Sequence, residues 1–220
     1  MRIATWNIER LKHNKQRELM LQEIEKVNAD ILILTETDSR LKPDYPYCFQ
    51  TPPLGDETEI RYRDTENRIT VFSKYGSIGS YKTHDELSSI CVELETENGS
   101  LLVYGTIIGI YGNRNESFYP ELIKQMDDIK RLTACGKKLC VVGDYNLSFC
   151  DNYYFTDKGR QLVIKTFDEC GIEIITKGLP QCIDHIAISK DFFRDVIAVS
   201  EWNMDKSLSD HKGSIIEISF

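Results

Sequence analysis

The chain opens on an apolar run whose β-branched and aromatic residues predict a strand over 2–8. Residues 14–28 place Met20, Leu21, Ile24 and Val27 at helical spacing, so a helix is expected there with Asn14 as its N-cap. The run at 30–36, Asp-Ile-Leu-Ile-Leu-Thr-Glu, reads as a buried strand ending in an acid. The start is therefore β-α-β. Residues 37–66 carry Pro43, Pro46, Pro52, Pro53 and Gly55 and read as an irregular surface excursion, long enough to suspect function. Strands are expected at 69–73, 89–95 and 101–108, with Asn98-Gly99 turning the chain between the last two, so the middle reads as an antiparallel meander.

A second helix is expected from Ser117, with Pro120 in its first turn and Leu122, Ile123, Met126 and Ile129 buried. It leads into a strand over 138–144. A third helix over 159–170 stacks Leu162, Val163, Thr166 and Phe167 and stops at Gly171. Strands follow at 172–176, 183–188, 195–200 and 214–219. Helical crossovers at both ends around an antiparallel centre predict an α/β protein of mixed sheets covered by helices.

With 220 residues, 41% of them hydrophobic, and no Pro/Gly/Ser-rich linker, a single domain over 1–220 is expected. A strand begins at residue 2 and no apolar run approaches the ~18 residues of a membrane span, which predicts a soluble monomer without a signal peptide. The seven cysteines are scattered and never in CxxC spacing, so they read as reduced thiols of a cytoplasmic protein. A net charge of −8 excludes an avid, non-specific nucleic-acid binder, whose grip comes from Lys and Arg on phosphates. It leaves room for a nuclease with local basic contacts, such as Lys12 to Lys15 or Arg61-Tyr62-Arg63, although solvated surface is the plainer reading of each cluster.

Five apolar runs end in polar groups able to do chemistry. Asp144 and Asn146 follow the strand over 138–144 two residues apart and share a face in extended backbone. A carboxylate there can deprotonate water while an amide holds a phosphate; Gly, Asp and Asn also simply favour turns. Asp210-His211 sets an anion beside an imidazole of ordinary pKa ~6.5. Asp184-His185 opens a strand, so one side chain faces away, and Asp184 is the expected functional partner. Glu36 ends the most apolar strand of the N-terminal half and Asn7 ends the first, a plausible hard-oxygen seat for Mg²⁺. There is no GxxxxGK[ST] loop, GxGxxG or GxSxG.

The ordered set Thr5-Trp6-Asn7, Leu34-Thr35-Glu36, Gly143-Asp144-Tyr145-Asn146, Ile183-Asp184-His185-Ile186 and Ser209-Asp210-His211 resembles the endonuclease/exonuclease/phosphatase superfamily over almost the whole chain. The resemblance implies a four-layer α/β/β/α sandwich of two packed mixed sheets, with a Mg²⁺ or Mn²⁺ ion at one edge. Glu36 would be the main metal ligand, helped by Asn7 and Asp210. Asp144 would activate the attacking water, Asn146 would hold the phosphate, and His211, oriented by Asp184, would stabilise the pentacovalent transition state.

Two residues depart from the family's pattern. Thr35 replaces a common Gln before the metal-binding Glu, and Thr106 stands where many nucleases carry a His or Tyr, so acid assistance to the leaving group is in doubt; Tyr111 is a weaker substitute. Arg68 and Arg114, with Thr106, are the expected substrate contacts. The reading is a metal-dependent phosphodiesterase acting on nucleic acid. The alternatives are a phosphatase for a small phosphomonoester or phosphoinositide, and a binding module that kept the fold and lost catalysis.

Overall fold

In the computed structural model, which describes residues 1–55 and 61–220, the first apolar run forms β1 (Arg2–Asn7) and crosses through α1 (Arg17–Val27) to β2 (Ile31–Asp38). β1 and β2 pair in parallel, as a helical crossover requires. Asn14 is not the helix cap. It belongs to a 3-10 turn, Asn14–Gln16, whose Asn14 carbonyl accepts the Arg17 N–H, so backbone rather than a side chain starts α1. Asn28 at φ 44 ends that helix.

The expected excursion contains an edge strand, β3 (Tyr47–Gln50), paired with β4 (Glu66–Ser73); its segment 56–60 lies outside the described residues. A further short strand, β5 (Ser77–Tyr81), joins β6 (Ser89–Thr96) and β7 (Gly99–Ile107). β3 and β5 are short and mostly exposed, so neither has the alternation that identifies a strand. The hairpin register pairs Thr96 with Gly99, so Glu97 and Asn98 make the turn and Gly99, at φ 101, begins the return strand. α2 (Phe118–Ala134) leads to β8 (Leu139–Asp144), parallel to β7, and α3 (Asp157–Glu169) follows with Thr156 capping the Gly159 N–H. Ile123 is 40% exposed, while Gln125 and Asp128 take inward positions of α2. β9 (Ile172–Ile174), β10 (Asp184–Ser189), β11 (Asp195–Trp202) and β12 (Gly213–Ser219) complete the chain.

Two six-stranded sheets result, in the orders β11-β12-β1-β2-β4-β3 and β5-β6-β7-β8-β10-β9. β4 thus belongs to a different sheet from β5–β7, and the expected meander is confined to those three strands. Ile3, Ile31, Ile33, Val71, Val103, Val142, Ile186 and Ile216 meet between the sheets. Trp6, Leu32 and Leu34 pack outward on Met20 and Ile24 of α1, and Tyr104, Val141 and Ala187 pack outward on Leu122, Met126, Val163 and Phe167 of α2 and α3. The layers are helix, sheet, sheet, helices, as the resemblance implied. Each sheet carries one parallel pair, β1 with β2 and β7 with β8, and the strand ends Asn7 and Asp144 meet at one edge of the sandwich.

Candidate active site

Alternation along β8 sends Cys140 and Val142 into the space between the sheets, and Asp144 continues that face to the rim. Gly143 makes this possible. A Cβ there would sit 2.1 Å from the Thr106 carbonyl oxygen of β7, so only glycine, at φ 138, lets the two strands close up beside Asp144. Asp184, opposite Asp144 across β8 and β10, likewise shares the inner face with Ile186 and Ile188, whereas His185 points to the helical side. His185 is fully buried, bonded to Thr176 and to the Leu147 and Cys182 carbonyls, and burial pulls its pKa down to about 4. It is a neutral packing residue.

Glu36 reaches the cleft by breaking alternation. Leu34 faces α1, which would send Glu36 to that side too, but Glu36 adopts φ 47, and Thr37 becomes the next outward residue, 3.0 Å from Thr70. The left-handed turn costs on the order of 1–3 kcal/mol and brings the carboxylate to the Asn7 amide. Asn7 Nδ2 donates to Glu36 Oε1 at 3.3 Å and to Asp144 Oδ2 at 3.1 Å, joining the two sheets. Its Oδ1 accepts the Glu9 N–H at 2.9 Å, so the amide bridges two carboxylates through its nitrogen while its oxygen holds the Glu9 backbone.

The last group comes from the loop before β12. Ser209 Oγ donates to the Asn7 carbonyl at 2.7 Å, Trp6 Nε1 to the His211 carbonyl at 3.1 Å, and Asn203 Nδ2 to the Ser209 and His211 carbonyls. So anchored, His211 places Nδ1 2.6 Å from Asp184 Oδ2 and leaves Nε2 toward the cleft. Asp210 is turned to solvent. Its side chain is 70% exposed, its Oδ1 is 3.7 Å from His211 Nε2, and its backbone N–H is held by Glu9 Oε2 at 2.8 Å.

Electrostatics separate the acids and the imidazole. Asp144 is pushed up to about 7, first by burial, then by the charge of Asp184, with His211 opposing. Burial works against charge on His211, but the neighbouring Asp184, followed by Asp144 and Asp210, outweighs it and lifts the imidazole to about 10. At neutral pH the site thus holds a carboxylate near its own pKa beside an imidazolium.

Three expected substrate contacts fall in different places. Thr106 is fully buried on the helical face, where its hydroxyl donates to Gln125 Oε1 of α2 at 2.5 Å; the next residue, Ile107, lines the cleft instead. One residue of strand register turns a side chain to the other face, and Thr106 is on the wrong one. Arg68 lies within β4, 6% exposed, rather than just ahead of the expected strand. Arg114 is exposed beside Asn113, whose Nδ2 donates to the Asn146 carbonyl at 2.8 Å. Asn146 itself, at φ 51, donates Nδ2 to the Ile108 and Gly109 carbonyls and its N–H to Asp144 Oδ1. Its side-chain N–H groups tie down a turn, so it meets a phosphate only by exchanging one of those bonds. Glu9 and Asn113 escaped the sequence reading, since a buttress to backbone has no motif; only proximity to Asn7 and Arg114 marks them.

Glu36, beside the Asn7 amide, is a carboxylate that could hold a divalent cation. Glu36 and Asp144 share one amide donor, while Asp144 itself is raised mainly by burial and by Asp184, with Glu36 adding least. Asp144, Asp184 and His211 also offer ligand atoms within 4.8 Å of one another, although Asp184 Oδ2 and His211 Nδ1 are engaged with each other at 2.6 Å.

Solved structures share this fold. A 3'-5' exonuclease, NExo, from Neisseria meningitidis matches with TM-score 0.73 at 16% identity, covering 100% of both chains. The 3' phosphatase NExo from Neisseria bound to product DNA hairpin matches at 0.71 and 17%, again over 100% of each. The endonuclease domain of TRAS1, a telomere-specific non-LTR retrotransposon, matches at 0.72 and 18%, over 99% of this chain and 97% of that one. No relative matches among proteins of curated function. The family model for Endonuclease/Exonuclease/phosphatase proteins matches residues 4–211, the span from β1 to His211, and the chain therefore belongs to that family of phosphoesterases.

Proposed function

We propose that this phosphoesterase is a divalent-metal-dependent phosphodiesterase that hydrolyses nucleic acid. The observation that carries the reading is the pairing, in one cleft, of a carboxylate raised to about 7 with an imidazole raised to about 10. Asp144 is matched to take a proton from an attacking water near neutral pH, and its orientation is fixed by Asn7 on one oxygen and the Asn146 N–H on the other. His211, held charged by Asp184, presents Nε2 to the oxygens on which negative charge builds. Glu36 would hold Mg²⁺ or Mn²⁺, with the exposed Asp210 available from the facing loop. Bound there, the ion supplies Lewis-acid charge to the phosphoryl oxygens. No ionisable side chain of β7 faces the cleft where Ile107 stands, so the leaving group receives no proton from that strand.

The neighbours favour DNA as the polymer, since NExo is described both as a 3'-5' exonuclease and as a 3' phosphatase with a DNA hairpin product. That dual description gives a second reading, removal of a 3'-terminal phosphate from DNA. A panel of single- and double-stranded DNA, RNA, 3'-phosphorylated DNA and small phosphomonoesters, with and without Mg²⁺, separates them. Cleavage of internal or terminal diesters with the highest kcat/KM, abolished by chelator, is the expected result; preference for a small phosphomonoester would reject the nuclease reading.

A further inference from the structure

We propose that the cavity between Arg10, Tyr62 and Arg68, beside Glu36, is a second phosphate site that holds the backbone phosphate one nucleotide away from the bond being hydrolysed. The inference rests on the nucleic-acid reading above and gives it a register.

Arg68 is 6% exposed, and among the described residues no acceptor lies within reach of its Nε. A buried guanidinium with one donor unpaired among the described residues is unfavourable, which makes a bound anion a natural completion of the site. Arg10 adds a second positive charge. The guanidinium carbons of Arg10 and Arg68 lie 5.2 and 5.8 Å from the centroid of the same Tyr62 ring, so that two like charges converge on one aromatic side chain. Glu66 gives Arg10 only a 3.9 Å contact and is itself engaged by Arg63 at 3.3 Å. The cavity measures about 120 Å³, enough for a tetrahedral oxyanion and small for a nucleoside, and its remaining wall is Leu54, Ile107 and Ile110. Apolar walls strengthen the attraction between the fork-shaped donors and a phosphate.

Position selects which phosphate. Glu36 lines this cavity on one side and meets the Asn7 amide on the other, and Asn7 in turn touches Asp144. The Glu36 carboxylate thus stands between the cavity and the groups that activate water, so an anion beside Arg68 is the next phosphate along the strand. Thr51 Oγ1 fixes the local backbone by accepting the Arg68 and Ile69 N–H groups, each at 3.2 Å.

The test is a methylphosphonate scan of a short DNA substrate, one neutral linkage at a time, on wild type, Arg68→Met and Arg10→Gln. For wild type, neutralising the linkage adjacent to the scissile one should lower kcat/KM at least ~10-fold, the scale of a charge-assisted hydrogen bond. Arg68→Met should lose a similar factor on unmodified DNA and be indifferent to that linkage. Binding measured without cleavage, in chelator, should lose about 0.7 from the slope of log K against log salt in the variant. Arg10→Gln, on a more exposed side chain, carries the same comparison should Arg68→Met fold poorly. If wild type cuts DNA and no adjacent neutral linkage matters, the second site is wrong and the nuclease reading survives. If DNA is not cut, and Arg68→Met instead slows a bisphosphorylated sugar but not its monophosphate, the backbone-phosphate assignment falls together with that reading.

Discussion

Asp184 Oδ2 lies 2.6 Å from His211 Nδ1, joining the first residue of β10 to the loop that precedes β12. Asp184 is 1% exposed, and among the described residues its second oxygen, Oδ1, has no hydrogen-bond donor, so His211 is the one cationic group that balances its charge at contact distance. The pair therefore stands or falls as a unit: the carboxylate keeps the imidazole charged, and the imidazolium makes the buried carboxylate tolerable.

Asp184→Asn should accordingly lower the His211 pKa from about 10 toward its ordinary range and cut kcat by about 10²- to 10³-fold, the usual scale for losing a charge contact to the transition state. An NMR titration of the His211 ring measures the first effect and steady-state kinetics the second. An unchanged titration in the variant would show that Asp184 is not what holds the proton.

The pH–rate profile follows from the same two groups. With Asp144 at about 7 and His211 at about 10, kcat/KM should rise tenfold per pH unit below about 7, level off, and fall beyond about 10. His211→Gln should abolish the alkaline fall while keeping the acid limb. A wild-type profile flat from pH 5 to 8 would remove Asp144 from the role of base.

The apolar runs made β1, β2, β6 to β8 and the three helices legible, because burial on one or both faces writes itself into residue periodicity. The polar ends of those runs led to Asn7, Glu36, Asp144, Asp184 and His211, all of which the fold brings to one edge. What stayed hidden depends on facing rather than spacing. Thr106 and Ile107 differ by one residue and by one side of a sheet, and Glu36 enters the cleft through a left-handed backbone that alternation cannot foretell. Arg68 fell outside the expected strand over 69–73 because β4 begins three positions before its apolar core. Asp210 and Asn7 carry the right ligand atoms, yet backbone bonds to Glu9 fix how each one presents them.

Stability should also depend on Asp144. Its folded-state pKa, about 7, lies above the ordinary 3.8, so the folded state binds the extra proton, and stability present below about pH 4 is lost as pH rises through about 7. His211, raised from 6.5 to about 10, adds stability that is full below 6.5 and lost as pH climbs through about 10. Asp144→Asn carries no charge to bury; its amide donor, turned toward Asn7 or the Asn146 N–H, returns part of the gain. The variant should be more stable than wild type above pH 7 by on the order of 1–2 kcal/mol, converge with it near pH 4, and be inactive. Denaturant melts across that range check the sign; a less stable variant at pH 8 would mean that ionised Asp144 is not a burden on the fold.

Glu36→Gln should weaken Mg²⁺ or Mn²⁺ binding by about 10-fold or more while leaving the melting temperature without metal nearly unchanged, since the carboxylate's described bond is the 3.3 Å contact from Asn7. Activity titrated against metal concentration reads the affinity directly. Equal half-saturation in wild type and variant would move the ion away from Glu36.

Gly143→Ala tests how closely the site depends on the strand spacing beneath it. An added Cβ would lie 2.1 Å from the Thr106 carbonyl oxygen, a backbone atom that cannot swing aside, and φ 138 is itself strained for alanine. Relief requires β7 and β8 to separate at the pair that immediately precedes Asp144, so the substitution should cost about 3 kcal/mol or more and lower kcat well beyond what the stability loss removes from the folded fraction. Gly99→Ala is the control. Gly99 also has a positive φ, 101, but nothing lies within 4 Å of its added Cβ, and it begins β7 at the far end from Thr106, so it should cost about 1 kcal/mol with kcat intact. Should both variants lose the same stability and keep the same activity, the close approach of Gly143 to Thr106 would have no part in placing Asp144.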